Sequence, residues 1–193
     1  EAQAWTELAG LTMHAGRSLL EGGREQTLAT WLAAIPAERR DAEPRLQLAE
    51  AYAYLHSDPT HAKVMLRRAR EGFAAQNDVR RELLTAAAAV ECHYFEWADF
   101  APMDFWIAVY ERLLDPGPAY LSTIDALRIG STHLIALLFR QPDHPRIAET
   151  AASDLSWLTK DDAQALSISL STLRRHQADF MHRRSIESRN AFL

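Results

Sequence analysis

The side chains best suited to chemistry lie in the segment 93–106, which reads HYFEWADFAPMDFW. His93 and Glu96 are three positions apart, a spacing that places both on one face of a helix. Asp99 and Asp104 add carboxylates, so the segment contains the types of ligand that bind metal ions. A metal site needs roughly three or four converging ligands, and a di-iron bundle needs Glu-x-x-His on two helices. Because the chain contains no such tetrad, we expect Glu96 and Asp99 to cap or pair at a helix corner, with His93 bonded to a neighbouring carbonyl.

Arginine supplies nearly all of the positive charge, since Lys63 and Lys160 are the only lysines. One hairpin carries Arg67, Arg68, Arg70, Arg80 and Arg81. Guanidinium groups bind carboxylates and phosphates through two-point contacts, so this cluster could receive an acidic partner or a phosphate. The alternative is a solvated face neutralised by Glu71, Asp78 and Glu82, and we favour that interpretation.

Large aromatic side chains could line a ligand groove or fill a core. Trp31, Trp97, Trp106 and Trp157 occur in helical patterns, which is more typical of a core. We therefore expect Trp97 and Trp106 to be buried together at the corner.

The compact turn 140–145, RQPDHP, contains Arg140 and His144. A binding role is open there, but a structural turn whose Asp or His caps the next helix is the favoured interpretation.

Cys92 lies in an apolar helix and is expected to be an inert core thiol. The glycines have no nucleotide-binding spacing, so no cofactor is expected.

Composition narrows the classes of function. A formal net charge of −5 argues against direct nucleic-acid binding by this segment. No apolar run reaches the roughly 18 residues of a membrane span, and a single cysteine fits a reducing cytoplasm. The start EAQAW is neither a signal peptide nor an initiation site. We therefore expect a cytoplasmic fragment of a larger multidomain protein, with residues 1–193 forming a single domain.

Hydrophobic periodicity indicates helices almost throughout, and alternating strand patterns are missing. The predicted helices span 4–20, 25–35, 78–97, 102–114 and 119–139, with others starting near 44, 59, 144 and 161. The stretch AERRDAEP between the second and third helices is expected to be a loop. The chain is therefore predicted to be all-α, with about nine helices.

Alternate helices begin about every 34 to 43 residues, a period typical of helix-hairpin repeats. The residues Leu48-Ala49 and Tyr52, followed by Ala62, Leu66 and Ala69, resemble a tetratricopeptide repeat, in which small residues lie where two helices cross. The prediction is a right-handed superhelix, or α-solenoid, of stacked antiparallel hairpins.

A family resemblance rests on the segments LATWLAAIP, LAEAYAY, DPTHAKVMLRRAREGFAAQND, ECHYFEWADFAPMDFWI and LLFRQPDHPRI. Over about residues 20–160 the chain resembles the helical-repeat region of large bacterial transcription activators with the layout of the maltose-regulon activator. The resemblance implies degenerate tetratricopeptide hairpins and a regulatory or sensing role, while other domains bind DNA. The chain itself has neither a phosphate loop nor an evident DNA-reading helix-turn-helix.

The favoured hypothesis is a noncatalytic domain that contacts other domains of the same regulator or a partner protein. A small-molecule effector bound on the concave face is the alternative, and an enzyme of another type is a third possibility. The candidate surface comprises His93, Glu96, Asp99, Asp104, Trp106, Arg67, Arg68, Arg140 and His144.

Overall fold

The computed structural model describes residues 2–115 and 122–148, which form eight α-helices and contain no β-strand. The helices are α1 (Ala2–Glu21), α2 (Glu25–Ala34), α3 (Ala37–Ala42), α4 (Pro44–Tyr54), α5 (Pro59–Ala75), α6 (Val79–Glu96), α7 (Met103–Leu113) and α8 (Thr123–Arg140). The all-α class is confirmed for this part of the chain.

Most helix ends lie where local chemistry predicts them. The carboxylate of Asp58 accepts a hydrogen bond from the backbone N–H of His61 at 3.0 Å, which caps the start of α5. Asp78 caps α6 in the same way, through the backbone N–H of Arg81 at 3.0 Å. Gly23 adopts a φ of +66° directly after α1, a conformation that glycine reaches without strain.

Two predicted boundaries need correction. The expected loop after Pro36 contains helix α3, because Pro36 starts a new helix as soon as it ends α2 and good helix formers follow. The end of α3 is also held by α4, where the amide of Gln47 donates to the backbone carbonyl of Asp41 at 2.7 Å. Helix α8 begins at residue 123 rather than 119, because the hydroxyl of Ser122 accepts from the backbone N–H of Asp125 and caps it there.

Two predicted helices reach beyond the described residues. The helix expected from His144 begins at residue 146, and the described residues end at 148. The helix predicted from residue 161 and the side chain of Trp157 lie outside the described residues.

Helix α4 joins two apolar clusters. Leu46 and Ala53 face a cluster formed with α1 and α2. Ala51 and Leu55 face a larger cluster that continues through α5, α6, α7 and α8. Because α4 buries two faces, the apolar interior passes through it from one cluster to the other.

Helix α6 packs against three other helices and positions the candidate site. Its alanines at 86–89 are almost fully buried, and α5, α7 and α8 all contact it. The centre of α6 is apolar nearly all round, a pattern that requires cover on several sides, and the three neighbouring helices supply it. The C-terminal end of α6, which carries the candidate site, is therefore held by the densely packed part of the same helix.

Helices α4 and α5 cross at Gly72. A Cβ atom built on Gly72 would lie 2.2 Å from Cγ of Pro44, far inside van der Waals contact. The missing side chain is what allows α5 to approach the first turn of α4.

Candidate partner-binding surface

The end of α6 is unusual because it is closed by a tryptophan in the left-handed region. Trp97 has φ +48° and ψ 40°, and its backbone N–H donates to the carbonyl of His93 at 3.2 Å. This position in a helix cap is normally glycine or asparagine, and a side chain there costs about 1–2 kcal/mol. Contacts made by the Trp97 side chain must offset that cost.

Edge-to-face ring contacts hold Trp97 in place. Its ring centroid lies 5.5 Å from those of Tyr94, Phe100 and Phe139. Phe100 and Phe139 are themselves 4.6 Å apart, and Tyr94 contacts Phe95 at 5.8 Å. We call Tyr94, Phe95, Trp97, Phe100 and Phe139 the aromatic corner. It joins the end of α6, the following turn and the end of α8.

The aromatic corner is open to solvent, which corrects the expectation that Trp97 is buried. Trp97 is 39% exposed and Phe139 38%, and the neighbouring Leu138 is 51% exposed. Trp106, in contrast, is 1% exposed and lies in the large core cluster. The prediction of burial is confirmed for Trp106, which therefore does not belong to the candidate surface.

His93 also belongs to the interior rather than the surface. It is 5% exposed, and its Nδ1 is buried without a hydrogen-bond partner, so the expected bond from that nitrogen to a neighbouring carbonyl is not present. Burial lowers the pKa of His93, and the positive charge of Lys63 lowers it further. His93 is therefore neutral near pH 7.

The three carboxylates of the corner have separate partners. Glu96 accepts from Nζ of Lys63 at 2.7 Å, and Asp99 accepts from the backbone N–H of Ala101 at 2.9 Å. Pairing is therefore confirmed for Glu96, whereas Asp99 bonds within the turn before α7 and does not cap that helix, which has no side-chain cap. Across residues 2–115 and 122–148, the side chains of His, Cys, Asp and Glu form no group of three that could hold a metal ion.

The third carboxylate links α7 to α8. Asp104 receives a two-point contact from the guanidinium of Arg140, at 2.9 and 2.7 Å. Hydrogen bonding to Arg140 lowers the pKa of Asp104, so this carboxylate stays charged. His144 accepts the backbone N–H of Arg146 through Nδ1 at 3.2 Å, which confirms its expected capping role. Nε2 of His144 lies 3.0 Å from the carboxylate of Glu111.

The hairpin arginines divide between ion pairs and a ring contact. Arg80 and Arg81 pair with Asp125 and Asp78. Arg68 reaches Asp41 at 3.4 Å. Arg67 instead places its guanidinium 4.9 Å from the ring centroid of Phe105. The favoured interpretation, a neutralised solvated face, therefore fits much of the cluster but not Arg67.

An open cleft of about 400 Å³ lies between α3, α4 and α5. Its lining consists of Asp41, Ala42, Pro44, Gln47, Arg68, Glu71 and Gly72. The ion pair between Arg68 and Asp41 spans residues of this lining, and no aromatic side chain contributes to it. A small-molecule effector site would be expected to be more enclosed and more apolar.

Cys92 matches its predicted role as a core thiol. It is fully buried, and burial raises the pKa of its thiol to about 12. A thiol with that pKa is protonated at neutral pH and unreactive.

Sequence reasoning missed Phe139 and Leu138, which contribute much of the exposed apolar area. The sequence feature that could have identified them is the apolar run LLF at the very end of α8. The helical period of α8 does not place all three of these adjacent residues on its buried face, so some of them had to face solvent or a partner.

Comparisons with family models, with curated proteins and with solved structures return no match to this chain. Among the described helices, none combines the length and the apolar character needed to cross a membrane.

Proposed function

We propose that the chain is a noncatalytic helical-repeat domain of a bacterial transcriptional regulator, and that the aromatic corner binds another domain of the same regulator. The solvent-exposed aromatic corner is the observation that carries this proposal. The all-helical fold and the contacts between helices close in sequence support a stacked-hairpin superhelix, as the family resemblance implies.

The composition of the aromatic corner is that of a protein interface. Tryptophan, tyrosine and phenylalanine are enriched at interfaces, where tryptophan and tyrosine supply much of the binding energy. Trp97 and Phe139 leave more than a third of their surface in water and are in direct contact. Covering these rings with a partner would recover hydrophobic free energy that the isolated domain forgoes.

The aromatic corner is also preorganised. Trp97 is held in its left-handed conformation by three neighbouring rings, and these rings stand on the packed ends of α6 and α8. Backbone strain that is maintained by surrounding contacts is typical of functional positions. A surface that needs little ordering on association loses less free energy to conformational entropy.

Charged pairs of both signs border the rings and suggest the form of the partner. Glu96, paired with Lys63, directly precedes Trp97 in the chain, and Arg140, paired with Asp104, directly follows Phe139. An apolar centre with a mixed polar rim suits the apolar face of an amphipathic helix. We therefore infer that the partner is such a helix from a neighbouring domain of the same chain.

A site-specific photocrosslinker tests this proposal in the protein expressed from its complete reading frame. The crosslinking amino acid would replace Trp97, and Leu11, which is 51% exposed on α1, would be replaced as a control. We expect an intrachain crosslink from position 97 to a segment outside residues 1–193, and none from position 11. The absence of an intrachain crosslink from position 97, or equal crosslinking from positions 97 and 11, would contradict the proposal.

A regulatory assay tests the same surface independently. Trp97→Ala and Phe139→Ala should both disturb transcriptional control by the complete protein, whereas Leu11→Ala should not. Circular dichroism would establish that each variant remains folded. Folded variants that regulate transcription normally would exclude this surface from function.

A further inference from the structure

A second exposed surface lies between α5 and α7 and shares no residue with the aromatic corner. Its centre is Phe105, which is 38% exposed. The guanidinium groups of Arg67 and Arg70 lie 4.9 and 5.3 Å from the centroid of its ring. Cation–π attraction holds both arginines against the ring.

The arginines here outnumber the carboxylates. Arg70 and Arg112 share a single acceptor, Oε1 of Glu82, with Arg70 at 3.3 Å. Glu82 is nearly fully buried beneath them, while the side chain of Arg112 is 54% exposed. Within residues 2–115 and 122–148, Arg67 has no carboxylate partner. Three guanidinium groups and one carboxylate leave an excess of two positive charges (3 − 1 = 2).

The other acidic side chains nearby form no ion pair with these arginines in the described part of the chain. Glu96 is paired with Lys63, and Asp104 is paired with Arg140. Glu71 lies four residues after Arg67 on α5 but forms no ion pair with it in the described part of the chain. At these contacts arginines outnumber carboxylates, whereas the chain as a whole carries a formal net charge of −5.

We propose that Arg67, Arg70, Phe105 and Arg112, the basic seam, bind an acidic peptide segment that carries an apolar side chain beside its carboxylates. Free guanidinium donors match carboxylates through two-point hydrogen bonds. The exposed ring of Phe105 provides the contact for the apolar side chain. An inorganic anion would use the arginines but not the ring, and this difference favours a peptide.

The basic seam is partly ordered before any ligand arrives. Glu82 fixes two of its arginines from below, and Phe105 restrains Arg67 from the side. Because these long side chains are already restrained, binding loses less rotamer entropy than it would with free arginines.

Fluorescence anisotropy with a labelled peptide of about twelve residues, alternating glutamate and leucine, tests the proposal. Arg67→Gln and Arg112→Gln should each weaken binding about three- to tenfold. Arg68→Gln is the matched control, because Arg68 is adjacent and exposed but pairs with Asp41 away from the ring. Arg68→Gln should leave the affinity within about twofold of wild type.

Probe variants separate a peptide site from a simple anion site. A peptide with lysine in place of glutamate should not bind, and one with serine in place of leucine should bind more weakly. Phe105→Ala should abolish the difference between the leucine and serine peptides. Equal binding of those two peptides to the wild type, or full displacement by millimolar inorganic phosphate, would overturn the proposal in favour of an anion site.

The basic seam can fail independently of the proposed function. Trp97→Ala should leave peptide affinity unchanged, because the seam and the aromatic corner are different surfaces. If Arg67→Gln and Arg68→Gln weaken peptide binding equally, binding depends on general electrostatic attraction. That result would also overturn the proposed seam.

Discussion

Replacing Gly72 with alanine sets two effects of opposite sign against each other at the crossing of α4 and α5. The new Cβ would lie 2.2 Å from Cγ, 2.9 Å from Cβ and 3.6 Å from Cδ of Pro44. Carbon atoms are attractive only at about 3.5–4.0 Å, so α5 must move by more than about 1 Å to accept the methyl group. Pro44 cannot turn aside, since its ring is buried and part of the first turn of α4.

The relative sizes of these two effects decide whether Gly72→Ala stabilises or destabilises the protein. Alanine is better than glycine in a helix interior by about 1 kcal/mol. Overpacking a close contact costs about 1–3 kcal/mol, and the rigid proline ring argues for the upper end of that range. We expect Gly72→Ala to lower the free energy of unfolding by about 1–2 kcal/mol. For a chain of this length the melting temperature would fall by about 2–8 °C.

Urea denaturation followed by circular dichroism measures this change. Gly10→Ala is the matched control, because Gly10 lies inside α1 and, among the described residues, its Cβ would meet no atom within 4 Å outside the backbone of its own helix turn. That control should gain about 0.5–1 kcal/mol from helix propensity alone. Repeating Gly72→Ala in a Pro44→Ala background should reduce the loss, since the clashing ring is then absent.

The outcome is decisive in either direction. If Gly72→Ala is as stable as the wild type or more stable, the close approach of α5 to Pro44 is wrong. If the loss is the same with and without Pro44, the destabilisation has another origin than this contact.

Three further expectations follow from buried or strained side chains. Burial, aided by Arg146, lowers the pKa of His133 to about 4, so the folded state resists its protonation. The protonation of His133 should leave the free energy of unfolding undiminished above the unfolded pKa of about 6.5 and should lower it as the pH falls toward 4. In His133→Phe this decrease should be smaller by up to about 3 kcal/mol. Urea midpoints at pH 7, 5 and 4 would show this, and an unchanged pH profile would contradict it. Trp97→Gly should be more stable than Trp97→Ala by about 1 kcal/mol, because only glycine adopts φ +48° freely; the reverse order in urea would refute the left-handed cap. Trp106→Ala should cost about 3–5 kcal/mol and Trp97→Ala clearly less, which thermal melts of the two variants would compare.

Helix ends were predictable because their causes are local. Asp58 and Asp78 bond to backbone groups only three residues further on, so the sequence contains both partners of each contact. Helix α3 was missed because it is too short to give a periodic signal and is held partly by Gln47 from the next helix.

The candidate surface was only partly predictable. Glu96 was expected to pair or cap and does pair, but its partner is Lys63, which lies 33 residues earlier on another helix. Phe139 joins Trp97 although they are far apart in the chain, and nothing in either segment indicates that contact. The exposed aromatic corner therefore emerges only when α6 and α8 come together.

Two pairs of identical residues show which features depend on local sequence and which depend on tertiary packing. The all-helical class and most helix ends follow from hydrophobic period and capping residues, which act within a few positions of the chain. Trp97 and Trp106 lie in one aromatic-rich segment, yet only Trp106 is enclosed, because it lies within the core cluster while Trp97 closes the exposed end of α6. Arg67 and Arg68 are adjacent, yet one meets Phe105 and the other Asp41. Their environments differ because adjacent side chains on a helix point about 100° apart, and the helices that meet each direction are brought there by tertiary packing.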